Sequence, residues 1–275
     1  MTGAFLAACV QFTAGRDIGP NIAAASALIR QARAQGADFI LTPETTDMLE
    51  PDRALQAIKL KSEENHEGVA AFGALAAELS CWLLIGSLLV RQEGGKPANR
   101  SYLFDPEGRV VARYNKIHMF DVDIPDGQSY RESSVYQAGE RAVLATLPWG
   151  GLGLTICYDL RFPKLYRSLA CSGALFLTAP SAFTRFTGQA HWHSLIRARA
   201  IETGSYMFAP AQCGDHAEGR QTFGHSLIVD PWGRVLADGG TEPGIVLADI
   251  DPELARHARK MIPALTGARD FRGPA

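Results

Sequence analysis

Gly151-Leu152-Gly153-Leu154-Thr155-Ile156-Cys157-Tyr158-Asp159-Leu160-Arg161-Phe162-Pro163 is the stretch that decides the fold class. Its apolar first half reads as a buried strand, and the polar residues with Pro163 read as a turn into a helix. A buried strand passing directly into a helix is the repeating unit of open α/β sheets, whose chemistry gathers at the C-terminal strand ends. Cys157 stands at such an end. Backbone N–H groups are free at the start of a helix and favour negative charge. That suits a thiolate nucleophile and the oxyanion it would create. The same context also suits a buried, inert cysteine, so the choice rests on residues elsewhere in the chain.

Outward from this stretch, strands and helices alternate. Residues 5–10 read as a strand. Residues 21–35 read as an Ala-rich amphipathic helix with Ile22, Ala25, Leu28, Ile29 and Ala32 on its apolar face. Residues 38–42 are a short strand ending at Pro43-Glu44, 69–79 a helix and 81–90 a strand. Residues 99–104 and 110–114 read as a hairpin around Asp105-Pro106-Glu107-Gly108. The polar segment 115–142 reads as a long irregular loop, either functional or poorly ordered. Beyond Cys157, helices are expected over 163–171, 189–202 and 252–261. Strands are expected over 174–178, 206–211 and 244–250, and a second hairpin over 226–229 and 235–236. The segment from Ser101 to Val110 echoes the segment from Ser226 to Val235, each with an Asp-Pro-x-Gly turn. That echo points to two related halves, each giving one sheet of a layered sandwich. No linker-like composition interrupts the chain, which predicts one domain over 1–263 and an arm over 264–275.

The 275 residues are 20% charged with a net charge of −2, so neither nucleic acid nor a membrane surface is an expected partner. The apolar run 81–90 is too short to cross a bilayer, and the N-terminus lacks the basic start of a signal peptide. Cysteines 9, 81, 157, 171 and 213 are odd in number and without CxxC spacing. That argues against a disulfide framework and for a reducing cytoplasm. His191 and His193 lie on an expected helix with no cysteine or carboxylate cluster evident in the sequence beside them, so no metal is expected.

Two more strand ends carry reactive groups. Leu41-Thr42-Pro43-Glu44 places a carboxylate past one strand, and Tyr114-Asn115-Lys116-Ile117-His118 places a lysine past another. Taken singly, Glu44 suits a helix cap and Lys116 a surface charge. Taken with Cys157, they make an amidase. A thiol of pKa ~8.5 is mostly protonated at neutral pH and needs a base. Glu44 would take its proton as sulfur attacks a carbonyl. The Lys116 ammonium and the Tyr158 backbone N–H would hold the oxyanion. Glu44 would then return the proton to the departing nitrogen, expected as ammonia, and water would hydrolyse the thioester. No cofactor is called for.

Glu44, Lys116 and Cys157 in this order, with the flanks Asn115-Lys116-Ile117-His118-Met119-Phe120-Asp121-Val122 and 154–163, resemble the nitrilase (carbon–nitrogen hydrolase) superfamily. The resemblance runs from about Cys9 to Pro263. It implies a four-layer αββα sandwich, a homodimer, and a second glutamate in the pocket. Glu132, in Arg131-Glu132-Ser133-Ser134, matches that position and would help place Lys116 and the substrate. Asp121-Val122-Asp123-Ile124-Pro125, Pro180-Ser181-Ala182-Phe183, Thr187-Gly188-Gln189-Ala190-His191-Trp192 and Gly224-His225-Ser226 resemble the Nit branch. That branch implies a small-molecule amide substrate bearing carboxylates. Arg161 would be its clamp, unless it pairs with Asp159, and Phe183 and Thr187 would line the same pocket. Ala211-Gln212-Cys213-Gly214 resembles the members acting on deaminated glutathione, the favoured substrate. The ω-amides 2-oxoglutaramate and 2-oxosuccinamate come next, then N-carbamoyl compounds. A non-catalytic binding protein on this fold would be expected to lack one of the three residues, and a redox protein would need a resolving partner for Cys157.

Overall fold

The computed structural model describes residues 3–124 and 129–274. Met1 and Thr2 of the N-terminal segment, Pro125 of the branch-like stretch and Ala275 of the arm lie outside the described residues. The first half runs β1 (Phe5–Gln11), α1 (Ile18–Ala34), β2 (Phe39–Leu41), α2 (Arg53–Lys59), α3 (Glu67–Leu79), β3 (Trp82–Val90), β4 (Ala98–Phe104) and β5 (Val110–Asn115). A small hairpin follows, β6 (Asp121–Asp123) with β7 (Ser129–Arg131). The second half runs β8 (Val143–Leu147), β9 (Gly150–Leu154), α4 (Pro163–Cys171), β10 (Ala174–Thr178), α5 (Arg185–Thr203) and β11 (Tyr206–Ala209). It ends with β12 (Cys213–Asp215), β13 (Gln221–Phe223), β14 (Leu227–Val229), β15 (Val235–Asp238), β16 (Gly244–Ile250) and α6 (Pro252–Met261).

One six-stranded sheet has the order β16-β1-β2-β3-β4-β5, the other β15-β14-β11-β10-β9-β8. Each has three parallel central strands and an antiparallel hairpin at one end. The two halves therefore repeat: β1, β2, β3, β4 and β5 follow the path that β9, β10, β11, β14 and β15 follow. The echoed turns are built alike. Asp105 Oδ1 accepts from the N–H of Glu107 and Arg109, and Asp230 Oδ1 from those of Trp232 and Arg234. The C-terminal β16 crosses back to complete the first sheet beside β1.

Why the strands read as near-continuous apolar runs is clear from their packing. Both faces are buried, as is usual for parallel sheets covered by helices. Along β1, Ala7 and Cys9 face the second sheet while Ala8 and Val10 face the helices; on β3, Leu84 faces inward and Leu83 and Ile85 outward. Phe39 meets Phe208 edge-to-face across the sandwich, with ring centroids 5.8 Å apart. On the outside of the first sheet, α1 buries Ala25, Ile29 and Ala32 beside Phe72 and Ala76 of α3. On the outside of the second, α4 and α5 bury Leu165, Leu169, Trp192 and Ile196. The result is four layers, αββα.

Several elements differ from the sequence reading. Segment 115–142 is not irregular throughout, because β6 and β7 pair and Glu132–Ser134 forms a 3-10 turn. Helix α2 is too short for a clear apolar period, yet Asp52 caps it by accepting from Ala54 N and Leu55 N. Helix α5 starts four residues earlier than 189, where the Thr184 hydroxyl caps Thr187 N. Beyond α6, residues 263–274 are mostly exposed and carry no helix or strand.

Candidate active site

Three strand ends deliver the three residues to one point. Glu44 follows β2, Lys116 follows β5 and Cys157 follows β9, and all three are buried. Lys116 Nζ lies 2.8 Å from Glu44 Oε1 and 2.8 Å from Glu132 Oε2. Each carboxylate has further donors. Asn99 Nδ2 donates to Glu44 Oε1 at 2.9 Å, and Ala182 N donates to Glu44 Oε2 at 2.9 Å. Phe120 N donates to Glu132 Oε2 at 2.6 Å. The Glu44 carboxylate and the Cys157 thiol are near enough to influence each other's ionisation. A buried ammonium between a buried and a half-buried carboxylate is tolerable only when every partner is in place.

The backbone bends to present these groups. Cys157 has φ +49° at the start of a 3-10 turn running to Arg161, and its N–H donates to Pro180 O. Thr45, after Glu44, has φ +52°, and its N–H donates to Ser87 Oγ. Left-handed conformations in non-glycine residues are costly and cluster at functional sites. Asp159 ties two of the strand ends together: its carboxylate accepts from Ile156 N, Tyr114 Oη, and both His118 N and His118 Nδ1. The Arg161–Asp159 pair weighed from sequence is therefore not the arrangement found.

Gly86 lets β3 pass closely behind the Glu44 loop. A Cβ there would lie 2.1 Å from Thr42 O, 2.4 Å from Pro43 O and 2.5 Å from Pro180 Cβ. Two of those atoms are backbone and cannot yield cheaply. Gly86→Ala is expected to cost about 1–3 kcal/mol or more. It should lower Tm by roughly 2–10 °C and cut kcat, because the displaced prolines precede Glu44 and hold Cys157 N. Calorimetry with steady-state kinetics checks this.

Electrostatically the site rests with charged Glu44, charged Lys116 and a neutral thiol. Burial pushes the Cys157 thiol far up, the Glu44 charge adds to that, and Lys116 opposes it. Burial would raise Glu44, but the charge and hydrogen bond of Lys116 hold it below the ordinary value. Burial would lower Lys116, but Glu132 and Glu44 keep it well above the usual lysine range. A protonated nucleophile beside an ionised base is set up for proton transfer during attack.

The cluster opens into a cavity of about 520 Å³. Of the residues expected to hold substrate, Tyr158, Phe183 and Thr187 line it. Arg161 is not among the lining residues. It lies behind two of them, 5.9 Å from the Tyr158 ring and 5.2 Å from the Phe183 ring, with Nη1 and Nη2 each 3.3 Å from His191 Nδ1. Asn99, Arg53, Arg131 and Arg220 line the cavity and were not singled out by sequence reasoning. The signal for Asn99 is its place beside Lys116, whose N–H donates to Asn99 O. His193 is joined in space by His225 and Asp238, whose ligand-type atoms lie within 4.8 Å, although no carboxylate neighbours it in sequence; His191 turns away to Arg161. All five cysteines are free thiols, and Cys171 is exposed while Cys157 is buried. Chemically, the arrangement can activate a thiol against a carbonyl and stabilise the oxyanion.

Residues 6–260 match the carbon-nitrogen hydrolase family. The chain is similar to the deaminated glutathione amidase of Synechocystis sp., 40% identical over 95% of this chain and 97% of that protein. It is similar to the human deaminated glutathione amidase, 38% identical over 96% of this chain and 82% of that protein. Among solved structures, the C. elegans NitFhit protein superposes with a TM-score of 0.90 at 36% identity; the match covers 97% of this chain and 65% of that longer one.

Proposed function

This chain belongs to the carbon-nitrogen hydrolase family, a hydrolase of C–N bonds in amides, and from that premise we propose that its substrate is deaminated glutathione. The names of its relatives in Synechocystis sp. and human support that substrate. The observation that carries the chemistry is the Glu44–Lys116–Glu132 cluster, with Glu44 and Lys116 buried, beside Cys157.

The leaving group follows from which amide is cut. Glutathione joins glutamate to cysteinylglycine through its γ-amide, and deamination turns the glutamyl amine into a ketone. Cutting that amide gives 2-oxoglutarate and the amine of cysteinylglycine. Ammonia is the product only of a primary amide such as 2-oxoglutaramate.

In the proposed mechanism Glu44 takes the Cys157 proton as sulfur bonds to the amide carbon. The oxyanion lies between the Lys116 ammonium and the Tyr158 N–H. Glu44 passes its proton to the departing nitrogen, the C–N bond breaks, and a thioester remains. Glu44 then deprotonates water for attack on the thioester, and its proton returns to the thiol. Glu132 holds Lys116 in place throughout. Phe183, Thr187 and Tyr158 frame the acyl part, and Arg161 acts through the two rings it stacks on.

The same reading takes residues 1–263 as one hydrolase domain with 264–275 as an arm, acting as a cytoplasmic homodimer. Five free cysteines support the compartment. No helix among the described residues is long and apolar enough to cross a membrane. Exposed Ile201, Trp232, Val235 and Leu236 support a partner-covered face. Sedimentation of the purified protein tests the dimer.

The substrate is tested by incubating the protein with deaminated glutathione and with 2-oxoglutaramate, following cysteinylglycine by mass spectrometry and ammonia enzymatically. The expected result is faster turnover of deaminated glutathione. Faster ammonia release from 2-oxoglutaramate would move the assignment to an ω-amidase. Inactivity on both would direct the search to carbamoyl compounds.

A further inference from the structure

Resting on that substrate reading, the geometry points to Arg220 as the residue that binds the carboxylate on the amine side of the scissile bond, selecting a peptide-like amide over a primary one. Arg220 immediately precedes β13 and lines the cavity. Its Nη2 donates to Ala182 O at 3.1 Å, and its guanidinium carbon lies 5.7 Å from the centre of the Tyr130 ring. Its Nε is buried with no hydrogen-bond partner among the described residues. No carboxylate among the described residues forms an ion pair with it, whereas most arginines near the cavity have one or are exposed. Arg131 pairs with Asp123 at 2.8 Å, and Arg53 stands exposed at the rim. Lys116 is committed to two glutamates.

A guanidinium anchored by one amino group and stacked near a ring, with a buried donor left over, is shaped for an oxyanion. Leaving such a donor unpaired is costly, and a carboxylate ligand would remove that cost. Ala182 tells which part of the substrate it meets. Ala182 N donates to Glu44 Oε2, and Ala182 O accepts from Arg220. Glu44 is the group that protonates the departing nitrogen in the proposed mechanism, so Ala182 ties Arg220 to the group that meets the leaving amine. The glycine carboxylate of cysteinylglycine is two residues from that nitrogen, a reach of up to about 7 Å. The hairpin holding Arg220 is itself fixed to this loop, through Phe223 N to Phe183 O and the Thr184–Thr222 bridge.

The test compares deaminated glutathione with its C-terminal glycinamide, which has the same scissile bond but no amine-side carboxylate. Wild type is expected to favour the free carboxylate by about 10- to 100-fold in kcat/KM, mainly through KM. In Arg220→Gln that preference should collapse to near one, and Arg220→Lys should restore part of it. Retention of the preference in Arg220→Gln, with both substrates slowed together, would overturn the assignment and leave Arg220 as a brace for Ala182. A wild type that cleaves both forms equally would also overturn it while leaving the substrate reading intact. A wild type that cleaves neither form but does cleave 2-oxoglutaramate would overturn the substrate reading, and this inference with it.

Discussion

Glu44→Gln is expected to leave a folded protein with kcat reduced at least ~10³-fold. The substituted amide keeps the shape of the side chain and an oxygen that can accept from Lys116 and Asn99, as Glu44 Oε1 does now. What disappears is the base, and four proton transfers depend on it. Because burial alone pushes the Cys157 pKa up, the thiol stays protonated without the Glu44 charge and no thiolate stands ready to substitute. Cys157→Ala should lose activity to a similar or greater extent by removing the nucleophile. Single-turnover assays of both variants, with circular dichroism to verify folding, check this; residual turnover in Glu44→Gln within tenfold of wild type would require another base. The pH profile carries the same signature. The Glu44 pKa is depressed below 4.5 despite its burial, because of Lys116, so the base is present through the neutral range and is lost as pH falls through that depressed value. Its contribution to stability has the same sign: present above the ordinary value, lost on acidification.

Lys116→Met is expected to be the most damaging single change to stability, about 3–5 kcal/mol. The ammonium is buried between Glu44 and Glu132, and its removal leaves two carboxylates facing each other in the interior. In the variant the Glu44 pKa should rise, because burial is no longer opposed by Lys116. The folded state then holds more protons than the unfolded one, so the variant's stability should fall as pH rises through that raised value. Denaturant melts at pH 4 and pH 7 measure it: the deficit relative to wild type should be smaller at the lower pH. Turnover should also be lost, since the oxyanion loses its cation. A deficit below about 1 kcal/mol at pH 7 would mean that the pair contributes little net stability.

The alternating α/β architecture was legible in the sequence because both faces of each central strand are covered, while the four αββα layers were expected only through the family resemblance. Strands such as Leu152 to Leu154 and Ala174 to Thr178 are therefore continuous apolar runs whose ends are abrupt. The repeated Asp-Pro-x-Gly turns made the two halves visible, because Asp105 and Asp230 each need the same local hydrogen bonds. Glu44, Lys116 and Cys157 were readable as polar residues just past those runs, and Glu132 only through family resemblance. What sequence could not decide is anything made by residues far apart in the chain. Ala182 N reaches Glu44 across 138 positions, Asn99 reaches it across 55, and Asp159 joins Tyr114 across 45. The expected anion clamp and the proposed one separated for the same reason. Arg161, adjacent to the nucleophile in sequence, is carried by its 3-10 turn behind the Tyr158 and Phe183 rings, while Arg220 is brought to the cavity wall by a hairpin bridged to residue 184. Local hydrogen bonding and apolar periodicity are written into neighbouring residues and so are determined by the sequence directly. The direction in which a long charged side chain points is decided only when the two sheets close, because its partners are then the ends of other strands.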